Sequence, residues 1–494
     1  MRNRIYLCLA HMSGKEQDFI KEAFDTNWVV PLGPNVNGFE EDLKSFIGGN
    51  KEVVALSAGT AALHLALLAC GVGQGDEVVV QSFTFCASSH PVAYLGATPV
   101  FVDSEINTWN IDPKLLEECI VDRIAKTGKK PKAIIPVALY GMPYQIDCIM
   151  DIANRYNIPI IEDAAEGFGS KFDGRLLGAF GKYGVLSFNG NKMITTSGGG
   201  ALIVPDESTK KQTMFYATQA REPFPHYQHE KIGYNYRMSN ICAGIGRGQM
   251  TVLDEHIAHH RHVHALYENA FEGVDGITLK SNPDGRFNAN YWLSTILIDP
   301  VKTGTNYDEV RRKLDEQGIE TRPLWKPMHL QPVYATNPCY VNGVSERLFN
   351  MGLCIPAGPW VTDEDLAYIL SKEMAHNVLG HAKTLQNTRA ATSLIDNLML
   401  TPPRQAASTG LKPMPKKFDI DADTLSLAMS LRGGYGIDNA TRFWKRLAYR
   451  FPATNAMNYT ALHPATSARL EAMPNAITRI KAIDKRRKAL ATPK

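Results

Sequence analysis

The stretch Val53-Val-Ala-Leu-Ser-Ala-Gly-Thr-Ala-Ala-Leu-His-Leu-Ala-Leu-Leu-Ala-Cys-Gly-Val-Gly-Gln-Gly-Asp-Glu-Val-Val-Val80 decides the fold class. Its two ends are short apolar runs typical of buried strands, and its middle predicts a helix over Ala61–Cys70 that Gly71 closes. Similar strand-like runs follow at Pro99–Val102, Ala133–Val137 and Ile158–Ile161. Strands that alternate with helices predict an α/β fold with a mostly parallel sheet, and ligands bind at the C-terminal strand ends of such sheets.

The patterning divides the chain into three expected regions. Residues 1–240 form a large sheet domain, residues 241–372 a smaller α/β domain, and residues 373–494 a mainly helical tail. The smaller domain and the tail are predicted from helical and strand-like segments at Arg237–Phe271, Tyr291–Ile298, Tyr307–Gln317, Asp363–Leu370, Asp421–Arg450 and Ala465–Lys488. A polar, proline-containing stretch over 383–417 is interpreted as a linker.

Composition excludes several classes of protein. With 44% hydrophobic and 21% charged residues, the 494-residue chain is typical of soluble globular proteins, and its net charge of +3 is too small to indicate a nucleic-acid partner. The eight cysteines are scattered without a CxxC pair, which favours a reducing cytoplasm over a disulfide framework. No apolar stretch approaches the ~18 residues of a membrane-spanning helix. The basic run Lys481–Lys488 is interpreted as a solvated helix end.

The segment Ser57–His64 is a candidate phosphate site. Its small residues follow a strand and open a helix, so backbone N–H groups of Gly59 and Thr60 can approach an anion at the positive helix end. An ordinary strand-to-helix turn would have the same pattern.

Two acidic residues end the strand-like run Ile158–Ile161, in the segment Ile160-Ile-Glu-Asp-Ala-Ala-Glu166. A carboxylate at the C-terminal end of a buried strand lies in the ligand crevice of an α/β sheet and can hold a protonated heterocyclic nitrogen. The structural alternative is a helix N-cap.

The most informative segment is Gly184-Val-Leu-Ser-Phe-Asn-Gly-Asn-Lys-Met-Ile-Thr-Thr-Ser-Gly-Gly-Gly200. Lys192 stands between a β-rich run and a glycine-rich strand entry, and a desolvated lysine at such a place can react with a carbonyl. Ser187 and Asn189 offer short polar side chains to a phosphate. An exposed loop lysine is the alternative for Lys192 taken alone, but three ligand-type loops are expected to converge here.

These motifs together resemble the DegT–DnrJ–StrS family of sugar aminotransferases over about residues 9–370. The matching stretches are Ser57–Leu67, Ser82–Ser88, Gly96–Asp103, Glu162–Glu166, Ser187–Lys192 and Gly233–Asn240. The resemblance implies the type I fold of pyridoxal-phosphate enzymes, with a large, mostly parallel sheet domain and a smaller C-terminal α/β domain.

The resemblance also implies roles for individual residues around the cofactor. Lys192 is expected to bind pyridoxal 5'-phosphate as a Schiff base and to shuttle the proton between C4 of the substrate and the cofactor. Asp163 is expected to pair with the pyridinium nitrogen, and Glu166 to lie near the ring hydroxyl. Phe85 is expected to stack on the ring, although a buried phenylalanine is more often plain core.

The phosphate of the cofactor is expected to be bound by Gly59, Thr60 and Ser187, with Asn189 beside them. Asn235 is expected to reach the phosphate of a neighbouring subunit, because sites in the family are built at a dimer interface. The resemblance therefore implies a homodimer with shared active sites.

A narrower likeness at Arg322-Pro-Leu-Trp-Lys-Pro-Met-His-Leu-Gln331 indicates the branch that aminates UDP-linked 4-keto-6-deoxy sugars for bacterial glycans, with glutamate as the expected amino donor. Lys326 is a candidate diphosphate contact, and Trp325 and His329 are candidates for shaping the sugar-nucleotide pocket. A domain-packing loop is the alternative for this segment. Related sugar dehydratases carry His at the lysine position, and Lys192 argues against that activity.

The tail contains an incomplete metal motif, Lys372-Glu-Met-Ala-His376. It resembles the HExxH helix of HtpX-type zinc metallopeptidases, with further likeness up to Leu470. Lys372 replaces the first His ligand, and Asp419 replaces the usual third-ligand Glu. The sequence therefore predicts a degenerate metallopeptidase-like tail without a functional zinc site; a metallopeptidase or a binding module derived from one is the competing hypothesis.

Overall fold

The computed structural model describes residues 4–316 and 318–361, isolated positions between 420 and 441, and a helix at Ser467–Ala491. In this part of the chain the strands are β1 (Glu52–Leu56), β2 (Glu77–Gln81), β3 (Thr98–Val102), β4 (Ile134–Ile135), β5 (Ile161–Asp163), β6 (Lys171–Phe172), β7 (Arg175–Leu176), β8 (Tyr183–Ser187), β9 (Gly200–Val204), β10 (Ile277–Leu279), β11 (Phe287–Asn288), β12 (Ser294–Ile298), β13 (Arg322–Pro323), β14 (Cys339–Tyr340) and β15 (Gly352–Ile355). The helices are α1 (Glu16–Asp25), α2 (Pro34–Ile47), α3 (Gly59–Ala69), α4 (His90–Tyr94), α5 (Pro113–Thr127), α6 (Ile146–Tyr156), α7 (Glu207–Ala217), α8 (Asn240–Met250), α9 (Leu253–Phe271), α10 (Pro300–Thr303), α11 (Tyr307–Glu316), α12 (Val344–Met351) and α13 (Ser467–Ala491).

The main sheet consists of two four-stranded ladders, β1-β9-β8-β5 and β4-β2-β3-β14. Two parallel bridges, Ile134 to Ile160 and Val137 to Asp163, join the ladders between β4 and β5. Every neighbouring pair is parallel except the two that involve β9, which runs antiparallel to β1 and β8. The predicted α/β fold with a mostly parallel sheet is confirmed.

The central strands are short because the sequence interrupts them. The strand-like runs Ala133–Val137 and Ile158–Ile161 each contain a proline, Pro136 and Pro159, which has no N–H to donate to a ladder. Regular pairing is therefore confined to β4 and β5, with single bridges beside them. In contrast, β2 and β3 pair over five residues each and are buried along almost their whole length, although β3 contains Pro99. Pro99 precedes the residues of β3 that pair with β14, Phe101 and Val102, so its missing N–H leaves the ladder with β2 intact.

Helix α3 follows β1 directly and packs against the sheet. Eight of its eleven residues are buried, and its sequence is apolar almost throughout, as expected of a helix enclosed on several sides. The helical stretch predicted over Arg237–Phe271 is two helices, α8 and α9. The interruption falls where Asp254 and Glu255 begin the first turn of α9, since acidic side chains favour the positive N-terminus of a helix.

A second, antiparallel sheet has the order β10-β12-β15-β13. Its apolar side chains share a core with α9 and α11, which includes Val263, Ile296 and Leu314. The start of the chain lies against this region, because Ile5 forms a parallel bridge with Ile319. The division at residues 240 and 372 stays a proposal, and this contact places the first residues beside the smaller unit.

Helix α13 confirms the helix predicted over Ala465–Lys488. Its residues share an apolar cluster with positions between 427 and 440, and the members are Leu427, Ile437, Ala440, Met473, Ile477 and Ile480. The predicted helix Asp363–Leu370, the motif Lys372–His376, Asp419 and the linker 383–417 lie outside the described residues. None of the helices in the described ranges is long and apolar enough to cross a membrane.

Candidate active site

Several strand ends meet at a cavity of about 360 Å³. The loops after β1, β2, β5 and β8 contribute to its walls, as the sequence predicts for an α/β sheet. The sequence-predicted residues that line it are Gly59, Thr60, Phe85, Asp163, Glu166, Ser187, Asn189, Lys192 and Trp325.

The start of α3 and the start of β9 form one wall of the cavity. A Cβ atom at Gly200 would lie 2.3 Å from the backbone nitrogen of Gly59, so only glycine allows β9 to approach the helix here. A Cβ atom at Gly59 would lie 3.1 Å from Cβ of Ser187. The positive helix end and the Ser187 hydroxyl therefore flank one space, which suits an anion.

Asp163 supplies a buried carboxylate at the end of β5. Its Oδ2 accepts a hydrogen bond from Oγ of Ser88 at 2.7 Å, and Oγ1 of Thr84 lies 2.7 Å from that same serine oxygen. The backbone N–H of Ala165 donates to Oδ1 at 3.2 Å. Burial raises the pKa of Asp163, while the Ser88 and Ala165 donors oppose the shift. A cationic partner in the cavity would stabilise the charged carboxylate.

Lys192 and Glu166 form an ion pair inside the cavity, with Nζ 3.3 Å from Oε1. Their side chains are only 14% and 6% exposed. The other carboxylate oxygen of Glu166 accepts the backbone N–H of Tyr140 at 2.7 Å. Tyr140 has a positive φ of 54°, which is uncommon for a bulky residue and is often found next to functional sites. The pair therefore places the lysine amine at a fixed point of the cavity.

Trp292 also lines the cavity and is a residue that the sequence does not reveal. Its ring centroid lies 3.9 Å from Nζ of Lys192, and its Nε1 donates to the carbonyl oxygen of Asn191 at 2.6 Å. Ser88 is a second such residue. Trp292 lies about a hundred positions after Lys192, in a segment whose pattern predicts a strand and nothing more, so no local motif identifies it.

Phe85 presents its ring to the cavity and is 57% exposed, so the plain-core interpretation of this residue is wrong. Its ring centroid lies 6.3 Å from that of Trp325. Both aromatic residues are shared with a second cavity of about 410 Å³, which Lys326 also lines. The segment Arg322–Gln331 therefore contributes walls to both spaces, rather than serving only to pack the domains.

His329 and Asn235 line neither of these two cavities. Oγ of Ser82 lies 2.6 Å from Nδ1 of His329 and accepts the histidine's backbone N–H at 3.2 Å, so His329 fixes its own turn to the end of β2. Burial lowers the pKa of His329. Asn235 is exposed, and its Oδ1 accepts a hydrogen bond from Gln219. In this structure His329 therefore fixes the loop to the end of β2, and its part in shaping the sugar pocket stays a proposal.

The family is decided by a comparison over most of the chain. Residues 11–373 match the model of the DegT/DnrJ/EryC1/StrS aminotransferase family. The chain belongs to this family. Its members are pyridoxal-phosphate-dependent aminotransferases that act on sugars, and the α/β architecture described above is theirs.

Three similar proteins illustrate the match. EpsN of Bacillus subtilis is 44% identical over 374 residues, which cover 75% of this chain and 95% of EpsN. GDP-perosamine synthase of Caulobacter vibrioides is 36% identical, covering 74% of this chain and 97% of that enzyme. The crystal structure of DesI in the presence of its TDP-sugar product superposes with a TM-score of 0.70 at 26% identity, covering 78% of this chain and 96% of DesI. The tail after residue 373 lies beyond the residues that match the family model.

Proposed function

We propose that this chain is a pyridoxal-phosphate-dependent aminotransferase that transfers an amino group, with glutamate as donor, to C4 of a nucleotide-linked 4-keto-6-deoxy sugar for bacterial glycan synthesis. The observation that carries the proposal is the convergence of Lys192, Asp163 and the α3 N-terminus on one cavity. The family match supplies the reaction class.

The residues present fit the cofactor. The space beside the start of α3 and Ser187 suits its phosphate, because the N-terminal end of a helix attracts an anion and Gly59, Thr60 and Ser187 line the cavity there. The buried carboxylate of Asp163 suits the protonated ring nitrogen, and the exposed face of Phe85 suits stacking on the ring. When bound, the cofactor supplies an electron sink for the carbon whose proton is removed. Asn189 lines the same wall as Ser187 and would bind beside the phosphate.

Lys192 has two roles in the proposed reaction. Its Nζ would bind the cofactor covalently, and once released it would move a proton to C4 of the sugar. Glu166 would hold Nζ in place through the 3.3 Å contact, and would lie near the ring hydroxyl. Asp163 would keep the ring nitrogen protonated, since its charge in a desolvated site favours a cation beside it.

The nucleotide sugar would extend from this cavity into the second one. Trp325 borders both cavities, and the exposed Lys326 lines the second, where its charge would face a diphosphate. Two of the similar proteins are named for nucleotide-linked sugars, a GDP sugar and a TDP sugar. UDP is the nucleotide that the Arg322–Gln331 likeness favours.

The proposed assembly is a homodimer with shared sites, in the cytoplasm. Asn235 lies outside the cavity of its own chain, and the segment before it exposes Tyr227 and Ile232, which are 79% and 85% exposed. Large apolar side chains on a surface often mark an interface with another chain. All eight cysteines lie in the described residues and are unpaired, which supports a reducing compartment.

The experiment is incubation of the purified chain with UDP-, GDP- and dTDP-linked 4-keto-6-deoxy sugars plus glutamate, followed by the mass of the product. An amino sugar formed from one of them, with 2-oxoglutarate released, is the expected result. The control is Lys192→Ala, which should give no product while keeping the fold by circular dichroism. A dehydrated sugar, or full turnover by Lys192→Ala, would contradict the proposal.

A further inference from the structure

The amine of Lys192 lies between a carboxylate and an aromatic ring face. On one side is Oε1 of Glu166 at 3.3 Å, and on the other is the indole face of Trp292, with its centroid 3.9 Å away. A ring face attracts an ammonium group through its electron-rich π-system, and the attraction grows when both groups are removed from water. Trp292 is 2% exposed and the Lys192 side chain 14% exposed, so this condition is met.

The indole is fixed to the loop that carries the lysine. Its Nε1 donates to the carbonyl oxygen of Asn191, the residue directly before Lys192, at 2.6 Å. The indole therefore contacts the lysine loop at two points. Its Nε1 binds the backbone directly before Lys192, and its ring face lies against the Lys192 amine.

The backbone of Trp292 is fixed to the segment that carries Glu166. Oδ1 of Asn290 accepts the backbone N–H of Trp292 at 2.8 Å, while its Nδ2 donates to the carbonyl oxygens of Glu166 and Phe168, each at 2.9 Å. The Asn290 side chain is completely buried. It thus ties both partners of the lysine amine to each other.

The residue between Asn290 and Trp292 sets the direction of the indole. Tyr291 has a positive φ of 52°, a conformation that is costly for a bulky side chain and persists where the surroundings enforce it. Its ring stacks on His264 of α9, with the centroids 3.5 Å apart and the planes 6° from parallel. The strained turn points the Tyr291 ring at α9 and leaves Trp292 to line the cavity.

We infer that Trp292 is a positioning residue whose indole face holds the Lys192 amine beside Glu166 whenever that amine is free of the cofactor. This inference rests on the proposed function, because a free amine matters only where Lys192 binds a cofactor and releases it. During the release the amine must stay within reach of the substrate carbon, and a four-carbon side chain has many other rotamers. The indole face restricts the amine to one place in the cavity.

The test compares Trp292→Phe with Trp292→Met. Both side chains fill a similar part of the indole's volume, and both lose the Nε1 bond to Asn191, but only phenylalanine keeps a ring face. The difference between the two variants therefore isolates the contact of the ring with the amine.

The first measurement does not depend on activity. The full-length protein is stripped of cofactor and exposed to acetic anhydride, and mass spectrometry follows acetylation of Lys192 relative to the exposed Lys129. We expect Trp292→Met to be acetylated at Lys192 roughly three- to thirtyfold faster than wild type, the range that cation–π contacts span between exposed and desolvated sites, and Trp292→Phe to stay within about threefold.

The second measurement separates kcat from KM in the holoenzyme. Trp292→Met should lose roughly ten- to a hundredfold in kcat with little change in KM for the sugar, as expected when a reacting group is misplaced, and Trp292→Phe should recover most of the loss. Trp360→Met is the matched control, because this tryptophan is 60% exposed, donates its Nε1 to Ala10 and is not part of the cavity wall.

Equal behaviour of the two Trp292 variants in both measurements would overturn the inference, since the effect would then come from the lost Nε1 bond or from packing. Unchanged acetylation in Trp292→Met would overturn it as well. If a variant melts far below wild type, the two variants are compared at a temperature where both are folded. The difference in acetylation between Trp292→Phe and Trp292→Met then still tests the inference. The acetylation result needs no substrate, so it is separate from a failure of the proposed function.

Discussion

At Asp163 a carboxylate is enclosed by protein with two hydrogen-bond donors, Ser88 and Ala165, and its charge needs a further partner. If that partner is the ring nitrogen of the cofactor, Asp163→Asn removes one half of a buried ion pair. Breaking such a pair typically costs about 3–5 kcal/mol. We therefore expect kcat to fall by on the order of a hundred- to several-thousandfold. Steady-state kinetics check this, and a variant within about tenfold of wild type would refute the pairing.

Ser88→Ala is the matched comparison for Asp163→Asn, because it keeps the carboxylate and removes one donor. The Ser88 hydrogen bond lowers the pKa of Asp163, so its loss raises that pKa further. Since Asp163 must be charged to act, activity is lost as pH falls through its pKa. The acid limb of the kcat profile should therefore move to higher pH in Ser88→Ala, and an unmoved limb would mean that Asp163 does not set it.

The sequence predicts those residues of the site that are marked by their neighbours in the chain. Lys192 follows a strand and precedes a glycine run, and Asp163 ends another strand, so parallel topology alone brings them to one edge. Trp292 and Ser88 carry no such local pattern, because their roles come from contacts with residues far away in the chain. The pattern around His329 predicts a place at the sugar pocket but not the contact of its ring with Ser82, which lies 247 positions away in the chain.

At the scale of elements, α9 carries three buried histidines, His256, His260 and His264, and burial lowers the pKa of each. Burial lowers the pKa of both His260 and His264 to about 3. An unfolded histidine has a pKa near 6.5, so between about pH 6.5 and 3 the unfolded chain binds more protons than the folded one. Stability is fully present above that range and falls as pH drops into it, by about 2 kcal/mol for each of these two histidines at pH 5.

The prediction for α9 is tested with His264→Phe, which keeps a flat ring against Tyr291 and cannot be protonated. The loss of unfolding free energy between pH 8 and pH 5 should shrink by about 2 kcal/mol in this variant. His262→Phe, at an exposed position of the same helix, is the control. Its unfolding free energy should fall between pH 8 and pH 5 by as much as that of wild type. Urea titrations at the two pH values measure both. An unchanged difference for His264→Phe would show that this histidine is not the acid-sensitive group.

The sequence predicts elements better where their pattern is continuous than where it is interrupted. Helix α3 lies within two residues of its prediction, because an apolar run between a strand and Gly71 leaves few alternatives. The strand runs around Pro136 and Pro159 are shorter than predicted, and the stretch from Arg237 to Phe271 is two helices. Hydrophobicity alone does not predict these boundaries. The prolines lack the N–H that a strand ladder needs, and the acidic first turn of α9 favours the start of a new helix.

At the scale of the whole molecule, the position of Asn235 predicts that active sites are completed by a second subunit. Co-expression of Lys192→Ala and Asn235→Ala chains with different tags allows the mixed dimer to be purified. Each mixed dimer should contain one intact site and regain about half of the wild-type activity, because the intact lysine is served by the partner's intact asparagine.

The control for the mixed dimer is the pair Lys192→Ala with Asp163→Asn. Both residues line the cavity of their own chain, so this pair leaves no intact site and should stay inactive. Inactivity of the Lys192→Ala/Asn235→Ala dimer would mean that Asn235 acts within its own chain. An active monomer by sedimentation would also contradict shared sites.

The tail is expected to be dispensable for transamination. The family match ends at residue 373, and the chain covers 95% of EpsN and 97% of the Caulobacter enzyme without it. Within the described residues, α13 contributes Met473, Ile477 and Ile480 to an apolar cluster with Leu427 and Ile437. These three side chains of α13 are therefore buried against other residues of the tail.

A chain ending at residue 375 should therefore keep its cofactor absorbance and its kcat within about twofold of the full chain, which absorbance and steady-state kinetics measure.

The full chain should also contain no stoichiometric zinc, because Lys372 stands where HExxH requires a ligand and its charge repels the ion. His376→Ala is the matched variant and should change neither metal content nor activity. Two outcomes oppose this: a shortened chain that aggregates would show that the tail covers apolar surface of the enzyme, and casein cleavage lost on His376→Ala would show a working metal site.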